Sequence, residues 1–237
     1  EELGGGEADG TDPARDERVG GGAVQAHGIT ERAGAVQALA KEGAHIIALA
    51  RTQGGLEELD DEIKALGGSA TLVPSDIKDF AAIDRLGAAI FERWKKLDIL
   101  IGNAGILGKL TPLAHLDPKV FDDVMAVNVT ANYRLIRSLD PLLRASDAGR
   151  AVFVTSGLAY KCWAYWGSYS ISKAALEAMV RTYAAENGQT AIRANCFSPG
   201  ATRTKMRAQA MPGEDPETLP AAEDVAAQVI PMCLPAF

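Results

Sequence analysis

"GGAVQAHGITERAGAVQALAKEGAHIIALART", residues 21–52, decides the fold. Its second half reads as a helix followed by a strand. "HIIALA" (45–50) is a short unbroken apolar run, the pattern of a strand buried on both faces of a parallel sheet. A helix and strand in that order follow the phosphate loop of a dinucleotide site. The first half should therefore contain a glycine-rich turn, because glycines let backbone amides and a helix N-terminus approach a pyrophosphate. None of the 24 glycines of the chain falls into the spacings Gly-x-x-x-Gly-x-Gly or Gly-x-Gly-x-x-Gly.

Downstream, the pattern alternates. "LEELDDEIKAL" (56–66) puts Leu56, Leu59, Ile63 and Leu66 on one helical face. "ATLVP" (70–74) reads as a strand. "DFAAIDRLGAAIFERW" (79–94) is an amphipathic helix with Ile83, Leu86, Ile90 and Phe91 expected inward. "LDILIGNAG" (97–105) is a strand that ends in a glycine turn. A long helical pattern spans 118–143, then "RAVFVTS" (150–156) is a strand and 169–187 a helix. "AIRANCFSPG" (191–200) is a strand with a Pro-Gly stop, and a short helix lies near 223–230. Strand-helix alternation without repeats predicts a doubly wound α/β sheet in three layers, with one domain over 23–237. Residues 1–22 have almost no apolar content and are expected to be disordered.

The bulk composition excludes several classes. The chain has 237 residues, 47% hydrophobic and 23% charged, which suits one globular domain. No apolar run reaches membrane-spanning length. The net charge is -7, of which residues 1–34 carry -5 through eight acids and three bases. The near-neutral remainder argues against nucleic-acid or anionic-membrane partners. Three separated cysteines and three scattered histidines suggest neither disulfides nor a metal site, and they fit a reducing cytoplasm.

"YSISK" places Tyr169 and Lys173 one helical turn apart on one face. A nearby ammonium stabilises tyrosinate and lowers the tyrosine pKa from about 10 toward neutrality. Such a tyrosine can exchange a proton with a carbonyl or alcohol oxygen. Ser156 lies at a predicted strand end, where ligand sites of open α/β sheets are found. Asn128, in "MAVNVTAN", is a poor helix former at mid-helix and invites a special role. Tyr160, Trp163, Tyr165 and Trp166 read as pocket wall or contact surface. Cys162 could line the pocket or be an inert buried thiol.

With these stretches in view, the sequence resembles the short-chain dehydrogenases/reductases. "GNAG", "NVTAN", "VTSG", "YSISKAA" and "SPGATRT" come in that family's order and spacing, over about residues 35–232. The resemblance implies a Rossmann-like fold and NAD(P)(H)-dependent interconversion of a small-molecule carbonyl and alcohol. It implies Tyr169 as general acid/base, Lys173 as its pKa-lowering partner and ribose ligand, Ser156 as the substrate-oxygen donor, and Asn128 as the holder of a relay water. Asn103, Ala104 and Gly105 match the turn beside the cofactor. Pro199, Gly200 and Thr204 match the segment beside the nicotinamide, and Asp76 with Ile77 the turn at the adenine. Several of these have plainer readings as turn-formers or caps, Asp76 and Thr204 among them. Ala50 stands where an NAD binder carries an acid, and Arg51 follows. That favours NADP, with NAD possible. A homodimer or homotetramer through 118–143 and 169–187 is also implied.

The pattern departs from the family at both ends. The last two loop glycines would fall near positions 30 and 32, where Thr30 and Arg32 stand, and Gly28 and Gly34 are wrongly spaced. The first strand is reduced to "AVQAHGI" (23–29) at best, and the family's last strand is expected to be short or absent. Residues 1 to about 33 have either diverged or been translated from another frame or a wrong start, and translating the upstream DNA in the other two frames separates these. Divergence would allow a second reading, a catalytically silent binding or scaffold protein on the same fold.

Overall fold

The computed structural model describes residues 22–25 and 33–237. The missing loop glycines expected near 30 and 32 lie outside the described residues, as does the disorder expected over 1–22 except at Gly22, which opens a strand. Six strands form one parallel sheet: β1 (Gly22–Gln25), β2 (His45–Ala50), β3 (Ser69–Pro74), β4 (Ile99–Gly102), β5 (Arg150–Val154) and β6 (Arg193–Phe197). Their order is β3-β2-β1-β4-β5-β6, so the direction of winding reverses between β1 and β4. The degraded first strand is short but central. It pairs with β2 from Gly22↔Ile46 to Gln25↔Leu49 and with β4 from Gly22↔Ile99 to Val24↔Ile101.

Alternation along β2 divides the core. Ile46, Ala48 and Ala50 pack with Ile99, Ile101 and Val152 on one face. Against them lie α1 (Ala33–Lys41), α2 (Gln53–Ala65), α9 (Ala222–Ala227) and α10 (Ile230–Cys233), through Leu39, Leu59, Ile63, Val225 and Val229. Ile47 and Leu49 face the other way with Leu100 and Phe153. There they meet α3 (Phe80–Trp94), α5 (Ala131–Arg144) and α7 (Gly167–Glu186), which follows the short α6 (Leu158–Lys161), through Ile83, Ile90, Leu135, Leu139, Leu176 and Val180. The result is three layers, αβα, with each fully buried aliphatic side chain contributing roughly 1.5–3 kcal/mol of transfer free energy.

Three expectations change. Leu66 lies at the C-cap of α2 and is exposed, so it does not join Leu56, Leu59 and Ile63 on the buried face. Phe91 points outward, 54% exposed, with Lys95 Nζ 4.7 Å from its ring centroid. Ile83, Leu86 and Ile90 already fill the inward stripe of α3, and Phe91 falls about 100° away from Ile90 around the helix. The helix expected near 223–230 is two pieces, α9 and α10. Pro231 opens the second, since it lacks the N–H that a continuous helix would need at that position. No seventh strand is found among the described residues.

The long pattern at 118–143 is one helical run with a defect inside it. α4 (Pro118–Met125) passes through a π-helical turn, Ala126–Thr130, into α5. α5 packs closely on α3 at Gly87, where an added Cβ would come 2.3 Å from Ser138 O and 2.8 Å from its Oγ. Alanine in a helix interior gains about 1 kcal/mol over glycine in propensity, but overpacking of this kind costs roughly 1–3 kcal/mol. Gly87→Ala is therefore expected to destabilise the fold by up to about 2 kcal/mol, seen as a lower denaturant midpoint with an unchanged slope. A raised midpoint would show that α3 and α5 can separate at no cost.

Candidate active site

The C-terminal ends of β4, β5 and β6 open onto one cavity with about 1200 Å³ of atom-free space, its mouth included. Asn103 and Gly105 line it from the turn after β4, and Ser156 from the loop after β5. Tyr169 and Lys173 reach it from α7, and Pro199, Gly200 and Thr204 from the segment after β6. The sequence thus brings together eight of its expected site residues around one space. The cavity lies at the carboxyl ends of the strands, beside the reversal of winding between β1 and β4, the side on which ligands of such sheets bind.

Tyr169 is 9% exposed and Lys173 3% exposed, one turn apart on the inward face of α7. Lys173 Nζ donates to Val154 O at 2.7 Å and lies 5.7 Å from the Tyr169 ring centroid. That bond fixes the ammonium under the end of β5, next to the tyrosine. Ser156 Oγ accepts from Leu158 N at 3.3 Å, leaving its hydroxyl hydrogen to donate.

Asn128 does not line the cavity. It is fully buried in the π turn and acts as a clasp. Its Oδ1 accepts from Ile106 N at 2.8 Å, and its Nδ2 donates to Ile106 O at 3.0 Å and to Ser172 Oγ at 2.9 Å. One side chain therefore ties the turn after β4 to α7 between Tyr169 and Lys173. The π turn supplies the room: Ala131 N bonds Ala126 O, five residues back, and Asn128 O accepts from Asn132 Nδ2 at 2.9 Å instead.

Ala104 is buried in the core, with only its backbone at the turn. Arg51, Asp76 and Ile77 lie away from the cavity lining, at the ends of β2 and β3. Ala50 pairs with Pro74, so Arg51 and Asp76 occupy neighbouring strand ends. Ile77 is a core residue, and Asp76 Oδ1 accepts from Lys78 N at 2.9 Å, capping its own turn. Thr204 caps α8 (Lys205–Ala210) by accepting from Arg207 N at 3.1 Å, while still lining the cavity. Trp166 is cavity wall, whereas Tyr160, Trp163 and Tyr165 are exposed.

Several contributing residues escaped the motif reading. Glu177, one turn beyond Lys173 and 2% exposed, accepts from Thr155 Oγ1 at 2.8 Å and anchors the residue before Ser156. The signal was present: Tyr169, Lys173 and Glu177 form an i, i+4, i+8 polar stripe on a core-facing helix. Ser172 and Arg207 had no such signal. Among the described residues no cluster of three or more metal-ligating side chains exists, and no helix is long and apolar enough to cross a membrane.

The residues present fit the nicotinamide end of a dinucleotide. A Cβ at Gly105 would sit 3.5 Å from Lys173 Nζ and 3.4 Å from Asn128 Oδ1, filling the floor of the cavity. Glycine keeps that floor open for a planar ring and its ribose. The positions expected at the pyrophosphate, near 30 and 32, lie outside the described residues.

The short chain dehydrogenase family profile matches residues 25–215. The chain belongs to the short-chain dehydrogenase family. It is 37% identical over 194 residues to the uncharacterized oxidoreductase YciK of Escherichia coli K12, covering 81% of this chain and 77% of that one. A structure from Pseudomonas syringae described as a short chain dehydrogenase superposes with a TM-score of 0.85 at 37% identity, covering 93% of this chain and 90% of that one. Another so described, from E. coli CFT073 and complexed with NADPH, gives 0.81 at 34% identity, covering 92% and 90%. Membership in this family of oxidoreductases accounts for the order of the five motifs and for the parallel sheet.

The thiols give a check on this geometry. Cys162 is exposed and outside the cavity lining, so it is neither pocket wall nor buried. Burial, with the Glu177 charge adding, pushes the Cys196 thiol up to about 11, and burial pushes Cys233 up to about 12. At pH 8 the thiolate fraction at Cys196 is then on the order of 10⁻³. Native protein is expected to take up one equivalent of iodoacetamide, at Cys162, by peptide mass mapping. Comparable labelling of Cys196 or Cys233 would mean that the sheet edge or the α10 packing is open.

Proposed function

We propose that the protein is an NADP(H)-dependent carbonyl reductase, or the corresponding alcohol dehydrogenase, with Tyr169, Lys173, Ser156 and Asn128 as its working set. The convergence of Tyr169, Lys173 and Ser156 on one cavity at the strand ends carries this reading. The nicotinamide cofactor, when bound, supplies hydride to the carbonyl carbon. Ser156 Oγ–H holds the carbonyl oxygen, and the Tyr169 hydroxyl gives that oxygen its proton, so that the carbonyl becomes the alcohol. The Lys173 ammonium stabilises the tyrosinate left behind, and Lys173 is also placed to hold the ribose. Asn128 keeps the turn after β4 and α7 in register, a positioning role in place of the relay water that the resemblance implied. Asn103, Ala104, Gly105, Pro199, Gly200 and Thr204 frame the nicotinamide side. Asp76 and Ile77 frame the adenine, and Arg51 meets the 2′-phosphate. We assign the protein to the cytoplasm and to a homodimer or homotetramer built on α4, α5 and α7.

Tyr169→Phe is expected to lower kcat for carbonyl reduction about 100-fold or more while NADPH binding, read by fluorescence titration, is kept. Full activity in that variant would end the proposed mechanism. A charge-assisted hydrogen bond is worth about 1.5–3 kcal/mol. Arg51→Asp should therefore weaken NADPH relative to NADH by roughly 10- to 100-fold in Kd. No binding of either nucleotide to the unmodified chain would favour the silent-scaffold reading.

A further inference from the structure

Past the Tyr169 hydroxyl the cavity wall changes character. Leu107, Leu158 and Trp166 form one apolar cluster with Tyr169, and Met206 and Ala210 of α8 pack against it. The Trp166 ring meets Tyr169 edge-on, with centroids 6.0 Å apart at 65°. Trp163 stands behind Trp166 at 6.2 Å and 79°, which fixes the wall in place.

Among the described residues, the cations on the cavity lining are Lys173 and Arg207. Lys173 gives one donor to the strand end, and the reading above uses the others on Tyr169 and the ribose. Arg207 is committed to Glu214 by a two-pronged pair, Nε to Oε2 at 2.6 Å and Nη2 to Oε1 at 2.6 Å. The fork geometry of a guanidinium matches a carboxylate, and Glu214 holds the Nε/Nη2 edge and cancels the Arg207 charge. An anionic group entering here would meet a pair of no net charge, with the Glu214 carboxylate repelling it, beside an apolar wall, and its desolvation would be left uncompensated.

We propose that the site selects uncharged carbonyl compounds with an apolar, ring-like body and rejects those bearing a carboxylate. Trp166 is the specificity wall, and Glu214 is the residue that cancels Arg207 as an anion receptor. This rests on the cavity being the carbonyl site proposed above.

Methyl 4-acetylbenzoate and 4-acetylbenzoate test it, since they share the aryl ketone and differ in charge. Reduction is followed with saturating NADPH, and binding is followed separately by saturation-transfer NMR, which needs no turnover. The ester is expected to exceed the acid at least tenfold in kcat/KM and to be the partner that receives saturation. Trp166→Ala is expected to raise KM for the ester at least fivefold. Glu214→Gln is expected to improve the acid at least fivefold by releasing Arg207. Arg207→Gln removes the cation altogether, is expected to keep the discrimination, and serves if the Glu214 variant fails to fold. Equal reduction or equal saturation of the acid overturns the proposal. Saturation of the ester alone with no turnover upholds the selectivity and removes the reductase reading. No saturation of either compound, with no turnover, overturns both.

Discussion

Asn128 closes three hydrogen bonds in the interior, two to the backbone of Ile106 and one to Ser172. These set the distance between the turn after β4 and the face of α7 that carries Tyr169 and Lys173. Without the amide, two backbone groups of a buried turn would lose their partner, at about 1–3 kcal/mol each. The π turn exists around this side chain, because an ordinary helix would leave the residue competing with its own backbone for partners. Glu177 repeats the device one layer over. It holds Thr155, and so the approach to Ser156, against the same helix. The cavity is thus framed by buried polar side chains that join loops to α7, with apolar packing behind them.

Most of the fold could be read from short apolar runs. β2 matches "HIIALA" residue for residue because a strand covered on both faces has no polar positions to blur its ends. α2 and α3 followed from their inward stripes. Phe91 misled because a large aromatic at the edge of a stripe looks apolar in sequence, yet it can lie on the surface under a lysine stem. The helix over 223–230 misled because periodicity continues across Pro231 and the backbone does not.

The site was legible where residue types are chemically scarce. A tyrosine and a lysine at i, i+4, a serine at a strand end and a mid-helix asparagine each stand out. Thr155, Ser172 and Arg207 do not, since hydroxyls and surface arginines are common and their meaning lies in their partners. The bidentate partner of Arg207 is seven residues away across an irregular turn, a pairing that no helical or strand period predicts. That Arg51 lies away from the cavity, past the end of β2, is a matter of strand order, which alternation suggests but does not number.

The shortness of β1 bears on how the two sides of the sheet hold together. Among the described residues β2 and β3 join β4, β5 and β6 through a strand of four residues. The backbone ladder across that seam has few rungs, so cooperativity between the sides rests on the two apolar clusters above and below it, one holding Ile47 and Leu100 and the other Ile46 and Ile99. A dinucleotide lying across the ends of β2 and β4 would bridge the same seam from outside. Its binding energy would then appear as coupling between two cooperative units, and the molecule would melt more nearly as one body when loaded than when empty.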